Sequence, residues 1–148
     1  IQDPKKMEKK NTVTDNGKKI ALLHWKIQQW KLRFQLMDEE IVFIKRLLDS
    51  NAFKPNIPNL FERLQDYKTR LQDHEKRNAA VRAQISLHEN NLGNAPDIED
   101  SSISADDIKK NDSLQLEVDE CQGDYQNLKS EIFNYTGSIL LMNEPEVN

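Results

Sequence analysis

Apolar residues recur every three or four positions, without a break, from Ile20 to Leu48. This spacing puts them on one side of an α-helix, and several such heptads in a row are typical of a coiled-coil seam. The members of this seam are Ile20, Leu23, Ile27, Trp30, Phe34, Met37, Ile41, Ile44 and Leu48. The pattern predicts a first long helix over about residues 19–49.

The same alternating spacing occurs twice more along the chain, first in Leu60, Leu64, Tyr67, Leu71, His74, Asn78, Val81, Ile85, His88 and Leu92, and then in Ile108, Asn111, Leu114, Val118, Cys121, Tyr125, Leu128, Ile132, Tyr135, Ile139 and Met142. It predicts a second helix over about residues 58–92 and a third over about residues 104–142. Pro58 suits the first turn of the second helix, because a proline there loses no helical hydrogen bond. Gly93 suits the end of that helix. Ser104 can cap the third through its side-chain oxygen.

Short connections between successive long helices favour antiparallel neighbours. We therefore expect an all-α fold, an elongated antiparallel three-helix coiled-coil bundle in up-down-up order. The bundle would occupy residues 19–143, after a flexible lysine-rich N-terminal arm over 1–18 and before a C-terminal tail over 144–148. In outline this arrangement is similar to spectrin repeats and to the regulatory bundles of syntaxin-type proteins, a likeness that implies an architecture and no function.

Composition agrees with a helical protein. Charged residues make up 31% of the chain and aromatic residues 7%, with only four glycines and five prolines. Such a mixture is typical of long solvated helices and poor for a sheet. The single cysteine, Cys121, cannot form an internal disulfide, and no apolar run approaches the roughly 20 residues of a membrane span. We expect a cytoplasmic protein.

The two parts of the chain carry opposite charge. Residues 1–92 hold 18 Lys and Arg against 12 Asp and Glu, a net charge of +6. Residues 93–148 hold 3 against 13, a net charge of −10. Oppositely charged parts of one chain are most simply explained if they lie against each other.

The side of the first helix opposite its seam is apolar as well. The large side chains on that side are Leu22, Trp25, Leu32, Leu36 and Phe43. A three-helix bundle normally requires one apolar side of each helix. The first helix could lie in the middle of a flat layer, be covered by the connections of a curved bundle, or bind a second chain. We favour a second chain, as a two-fold homodimer or a helical protein partner, with these five residues as the protein-interaction face.

Polar residues interrupt the seams of the second and third helices. They are His74, Asn78, His88 and Asn111. Polar side chains at core positions usually set the register or oligomeric state of a coiled coil at some loss of stability, and we expect that role here. None of the histidines has a Glu three residues before it, and no two histidines have metal-binding spacing, so no metal site is expected.

Basic residues of the first two helices and the arm suggest an alternative, a module that binds nucleic acid or an anionic membrane surface. They are Lys5, Lys6, Lys9, Lys10, Lys18 and Lys19 in the arm, and Lys31, Arg33, Arg63, Arg70, Arg77 and Arg82 on the helices. The acidic third helix would repel phosphate, so neither nucleic acid nor membrane is the expected partner.

The sequence offers no pattern that predicts catalysis. A Gly-rich phosphate loop, a Ser-His-Asp grouping and a paired-carboxylate pocket are all missing from it. We therefore expect a non-catalytic scaffold or adaptor without enzyme activity, cofactor or small-molecule substrate. It would associate through the second apolar side of its first helix.

Overall fold

The computed structural model describes residues 4–93 and 103–141, with side chains from residue 17 onward in those ranges. This part of the chain forms three helices, α1 (Pro4–Leu48), α2 (Leu60–Leu92) and α3 (Ala105–Ile139). The helices pack against one another through buried apolar seams. The predicted all-α three-helix bundle is confirmed. Within the described ranges, none of the helices combines the length and the apolar character that crossing a membrane requires.

The bundle divides into two compact units. The first comprises Ile1–Phe34 and Ala80–Asp119, and the second comprises Gln35–Ala79 and Glu120–Asn148. Each of the three helices contributes a segment to both units. The buried residues of the first unit are Ile27, Trp30, Phe34, Val81, Ile85, His88, Asn111, Leu114 and Val118. They are members of the three predicted seams.

The second unit shows the predicted order of helix directions. Along α1, Asp38 and then Lys45 contact Asn78 and then Glu75 of α2, so these two helices run antiparallel. Its buried residues also follow the predicted seams, with Met37, Ile41, Ile44 and Leu48 from α1, Tyr67, Leu71, His74 and Asn78 from α2, and Cys121, Tyr125, Leu128, Ile132 and Ile139 from α3.

The predicted seam of α3 is wrong at two positions. Ile108 is 44% exposed, although its place in the pattern predicted burial. Near the other end, Thr136 is buried while Tyr135 is only half-buried, so the seam moves by one residue. Thr136 can occupy the core because its hydroxyl donates a hydrogen bond to the carbonyl of Ile132 at 2.7 Å. A threonine satisfied within its own helix then behaves as a small apolar side chain.

The first helix begins at Pro4, well before the boundary near residue 19 that the sequence predicted. Proline is favoured in the first turn of a helix, and neither proline nor glycine occurs again before Gly17. Gly17 costs about 1 kcal/mol relative to alanine but does not end the helix. The backbone of the predicted arm is therefore helical from Pro4 onward. The predicted tail over 144–148 lies outside the described residues.

The structure tests the three residues that were predicted to begin or end α2 and α3. Pro58 lies before α2 and not in its first turn, because Asn59 takes a left-handed φ of 58° and the helix starts at the next residue. Gly93 follows the last residue of α2 with a φ of 76°, as predicted. The Ser104 hydroxyl accepts a hydrogen bond from the backbone N–H of Asp107 at 3.1 Å, so the predicted cap of α3 is confirmed.

A short bridge joins the α1–α2 connection to the end of α3 in the second unit. Lys54 donates its backbone N–H to the carbonyl of Ile139 at 3.1 Å, and Leu141 donates to Ala52 at 2.6 Å. Phe53, between the two bonds, is 7% exposed. The connection thus folds back over the core and buries its own aromatic side chain.

Candidate interaction surface

The side of α1 opposite its seam is exposed in the first unit. Leu22 is 51% exposed, Trp25 59% and Leu32 49%. By contrast Trp30, five residues further along the same helix, is 1% exposed. Its indole N–H donates a hydrogen bond to Gln115 of α3 at 3.0 Å, which fixes the inner side of α1 against the bundle. Trp25 therefore points away from the packed core.

The same side of α1 is exposed in the second unit. Leu36 is 53% exposed and Phe43 64%, and the neighbouring Val42 is exposed as well. The sequence pattern did not predict Val42 as part of this side. We refer to the five predicted residues, Leu22, Trp25, Leu32, Leu36 and Phe43, as the outer stripe of α1. In neither unit do the chain's own described segments cover them.

Exposed large apolar residues on the other two helices are differently distributed. On α2 they are Phe61 and Leu87, and on α3 they are Ile108, Leu116 and Phe133. Their separations do not follow the three- and four-residue spacing that would line them up on a helix. Only α1, among the described helices, carries a regular second row.

Polar side chains beside the outer stripe hold α1 to the bundle. In the first unit, Gln28 and Lys31 both bind Glu89 of α2 through its carboxylate oxygens. On the other flank, Arg33 contacts Asp119 of α3 at 3.5 Å. The two flanks of the stripe are thus engaged by different neighbouring helices, and the stripe itself is left facing solvent.

All four predicted core polar residues are buried, and each has a polar contact with another helix. In the first unit, His88 Nε2 lies 3.3 Å from Asn111 Oδ1. In the second, Asn78 donates a hydrogen bond to Asp38 of α1 at 3.0 Å, and His74 Nε2 lies 3.7 Å from Cys121 Sγ of α3. Such directional contacts between helices suit a register-setting role, which stays a prediction.

Burial alters the acid–base behaviour of the second unit's core. It lowers the pKa of His74 below its ordinary 6.5, and the nearby Arg77 lowers it further, while Asp124 and Asp38 act in the opposite direction. Burial also raises the pKa of the Tyr125 phenol, as does its hydrogen bond to Glu40. Both groups are therefore held in their neutral forms at neutral pH.

Most basic helix residues of the alternative function lie beside acidic or aromatic partners, whereas Lys18 and Lys19 are exposed. Arg70 binds Glu131 at 2.7 Å and Arg77 binds Asp124 at 2.6 Å, both across to α3. The guanidinium of Arg63 lies 4.8 Å from the centre of the Tyr135 ring. Lys31 and Arg33 are paired as described above, and Arg82 also has an interaction partner. Arg33, Arg70 and Arg77 thus contact acidic α3 side chains, in agreement with the prediction that the oppositely charged parts of the chain lie against each other. The side chains of Lys5, Lys6, Lys9 and Lys10 lie outside the described part.

The second unit also has an open apolar depression of about 420 Å³ beside the α1–α2 connection. It is lined by Ser50, Asn51, Phe53, Pro55, Leu60, Leu64 and Leu141. No charged or titratable side chain lines this depression. It could therefore hold an apolar group by contact, but its lining does not suggest acid–base or nucleophilic catalysis. The sequence did not predict it, because it depends on how the connection folds back.

Among the described residues, no three or more His, Cys, Asp or Glu side chains are grouped so that they could hold a metal ion. No protein-family model, curated protein or solved structure matches this chain.

Proposed function

We propose that this protein is a non-catalytic interaction bundle, a scaffold or adaptor, that binds a protein partner along the outer stripe of α1. The observation that supports this is the regular row of five large apolar side chains left in solvent on one helix. Single exposed hydrophobic residues are normal on protein surfaces, whereas contiguous apolar patches mark interaction sites. The buried Cys121 thiol suits the reducing cytoplasm as its setting.

The energy available from the stripe sets the expected strength of binding. Fully burying a Leu, Phe or Trp side chain is worth about 1.5–3 kcal/mol, and each stripe residue still exposes between 49% and 64% of its surface. Covering the rest is worth roughly 1 kcal/mol for each residue. Association also costs translational and rotational freedom. We therefore expect a complex of micromolar rather than nanomolar affinity.

A second copy of the chain is the simplest partner. Closed two-fold dimers are the commonest protein assemblies, and they bury the same surface on both subunits. An apolar row on a helix supplies such a surface, because an identical row provides equally apolar side chains in return. This partner requires no other component, so purified protein is enough to test for it.

The experiment compares two double substitutions of exposed apolar residues. Trp25→Asp with Leu36→Asp changes one outer-stripe residue in each unit. Phe61→Asp with Leu87→Asp is the matched control, since it changes two residues of α2, one in each unit, that are equally or more exposed. Light scattering after size-exclusion chromatography gives the mass of each species, and circular dichroism gives its helix content.

We expect the α1 variant to be a helical monomer and the α2 control to remain associated like the unmodified chain. If the unmodified chain is itself a monomer, the homodimer form of the proposal fails. If both double variants dissociate equally, the outer stripe is not the surface responsible.

The nucleic-acid or membrane alternative receives less support. Phosphate would have to displace the carboxylate partners of Lys31, Arg33, Arg70 and Arg77. Binding to nucleic acid must weaken steeply with salt, so low salt is the most sensitive condition for detecting it. We expect no gel shift with DNA or RNA and no binding to anionic vesicles at low salt.

A further inference from the structure

The outer stripe of α1 has nearly the same apolar order in both chain directions. Trp25 and Phe43 lie at equal sequence distances on either side of Phe34. Leu32 and Leu36 do the same, closer to Phe34. All four are exposed, whereas Phe34 itself is fully buried on the opposite, inner side of the helix. An antiparallel copy of α1 centred at Phe34 would therefore meet four of the five stripe residues with apolar residues, while Leu22 would face Arg46.

The polar positions of the row follow the same symmetry. Gln29 lies between Trp25 and Leu32, and Glu39 lies between Leu36 and Phe43, again at equal distances from Phe34. Glu39 is exposed and Gln29 is half-buried. A glutamine amide donates hydrogen bonds and a carboxylate accepts them. In an antiparallel pair of α1 helices, Gln29 of one copy therefore lies opposite Glu39 of the other, as a hydrogen-bond donor facing an acceptor.

Building on the proposed interaction role of the outer stripe, we propose that its occupant is a second copy whose α1 lies antiparallel across a two-fold axis at the level of Phe34. Trp25 then packs against Phe43 of the second copy, and Leu32 against Leu36. Each contact occurs twice, as a two-fold axis requires. The side-chain amide of Gln29 donates a hydrogen bond to Glu39 of the second copy in the layer between them.

Charged residues beside the outer stripe also favour the antiparallel orientation of the two copies of α1. On one flank, the antiparallel arrangement places Lys26 of each copy next to Glu40 of the other, a carboxylate that also binds Lys129 and Tyr125 of its own chain. Arg33 lies close to its own copy at the axis, but Asp119 of the same chain is 3.5 Å away and supplies an opposite charge. Exposed like-charge contacts of this kind cost little.

A parallel dimer would bring identical residues together. Glu39 would then face Glu39, and charge repulsion at a paired helical position is unfavourable. Lys26 would lie beside Ala21 of the second copy and gain no opposite charge. The order of residues along the stripe thus separates the two directions, although both would bury the same apolar side chains.

Disulfide trapping distinguishes the two directions. Gln29→Cys and Glu39→Cys are made as separate single variants and incubated alone or mixed in a glutathione buffer. Neither replaces an apolar anchor, and the native Cys121 is fully buried. In the antiparallel dimer the two copies of residue 29 are offset by ten helical positions, about 15 Å. A disulfide cannot bridge Cα atoms more than about 7 Å apart.

We expect the mixture to yield a covalent dimer joined between positions 29 and 39, with neither variant giving an appreciable covalent dimer alone. Ser130→Cys, an exposed position on α3, is the control and should remain uncrosslinked alone and in mixtures. A dimer that crosslinks 29 to 29, or that forms no crosslink at all, overturns the antiparallel arrangement but leaves the interaction role standing. A monomeric mass for the unmodified chain overturns the antiparallel arrangement and, with it, the homodimer form of the proposed function.

Discussion

The thiol of Cys121 donates a hydrogen bond to the side-chain oxygen of Asn78 at 3.2 Å. The amide nitrogen of Asn78 donates to Asp38 at 3.0 Å in turn. Asn78, fully buried on α2, therefore links a residue of α3 to a residue of α1. In the second unit, one side-chain amide fixes the positions of all three helices at the same level.

Removal of this amide is predicted to destabilise the protein. Asn78→Ala should lower the free energy of unfolding by about 2 kcal/mol, because Asp38 and Cys121 each lose a hydrogen-bond partner near the core. Asn90→Ala, at an exposed position of the same helix, is the control and should change it by less than about 0.5 kcal/mol. Urea denaturation measures both. Equal effects at the two positions would show that the buried amide has no special role.

Stability is predicted to fall in mild acid because of His74. Burial lowers its pKa in the folded protein, so the unfolded chain binds a proton first as the pH falls. Neutral His74 therefore contributes to the free energy of unfolding in full above its ordinary pKa of 6.5, and this contribution is lost as the pH falls below that value. Denaturation at pH 5 and pH 7 should show a smaller stability difference in His74→Gln than in the unmodified chain. Coinciding pH slopes would contradict this, since the acid response would then not come from His74.

Two tyrosines of α3 are predicted to respond differently to the loss of their hydroxyls. Tyr125 donates a hydrogen bond to Glu40 at 3.0 Å, so Tyr125→Phe should cost about 1 kcal/mol. The buried hydroxyl of Tyr135 has no hydrogen-bond partner among the described residues. Tyr135→Phe should therefore be neutral or slightly stabilising. Thermal unfolding compares the pair, and an equal loss in both variants would mean that Tyr135 has a partner as well.

Two glycines are predicted to respond in opposite directions to substitution by alanine. Gly123 lies inside α3, and no described atom is within 4 Å of where a Cβ would be placed. Gly123→Ala should raise the free energy of unfolding by about 1 kcal/mol, through helix propensity. Gly93 has a φ of 76°, which alanine adopts only with strain. Gly93→Ala should therefore lower the free energy of unfolding by about 1–2 kcal/mol. A loss of stability in Gly123→Ala would show that the position is not open.

The long seams could be predicted because helix periodicity determines which side chains share one side of a helix. Ile27, Trp30 and Phe34 are each buried where the spacing put them. Helix ends were harder to predict, since they depend on weak local preferences. The early start at Pro4 shows this, because the polar residues after it are acceptable helix formers even without an apolar repeat.

Tertiary packing decides what periodicity alone cannot. The spacing identified Leu36 and Phe43 as a second apolar side of α1, but whether that side would be covered depended on where α2 and α3 lie. The structure leaves both exposed. The burial of Thr136 in place of Tyr135 has a local origin instead, because a hydrogen bond to Ile132 within the same helix made the polar residue acceptable in the core. Neither outcome is present in the apolar pattern of the sequence.

Sedimentation equilibrium of the unmodified chain, from about 1 to 100 μM, tests whether the exposed side of α1 is a binding surface for a second copy. We predict a concentration-dependent rise towards twice the 17.3 kDa mass of one chain, and no rise for Trp25→Asp with Leu36→Asp. A single-chain mass for the unmodified protein across the whole range would contradict it.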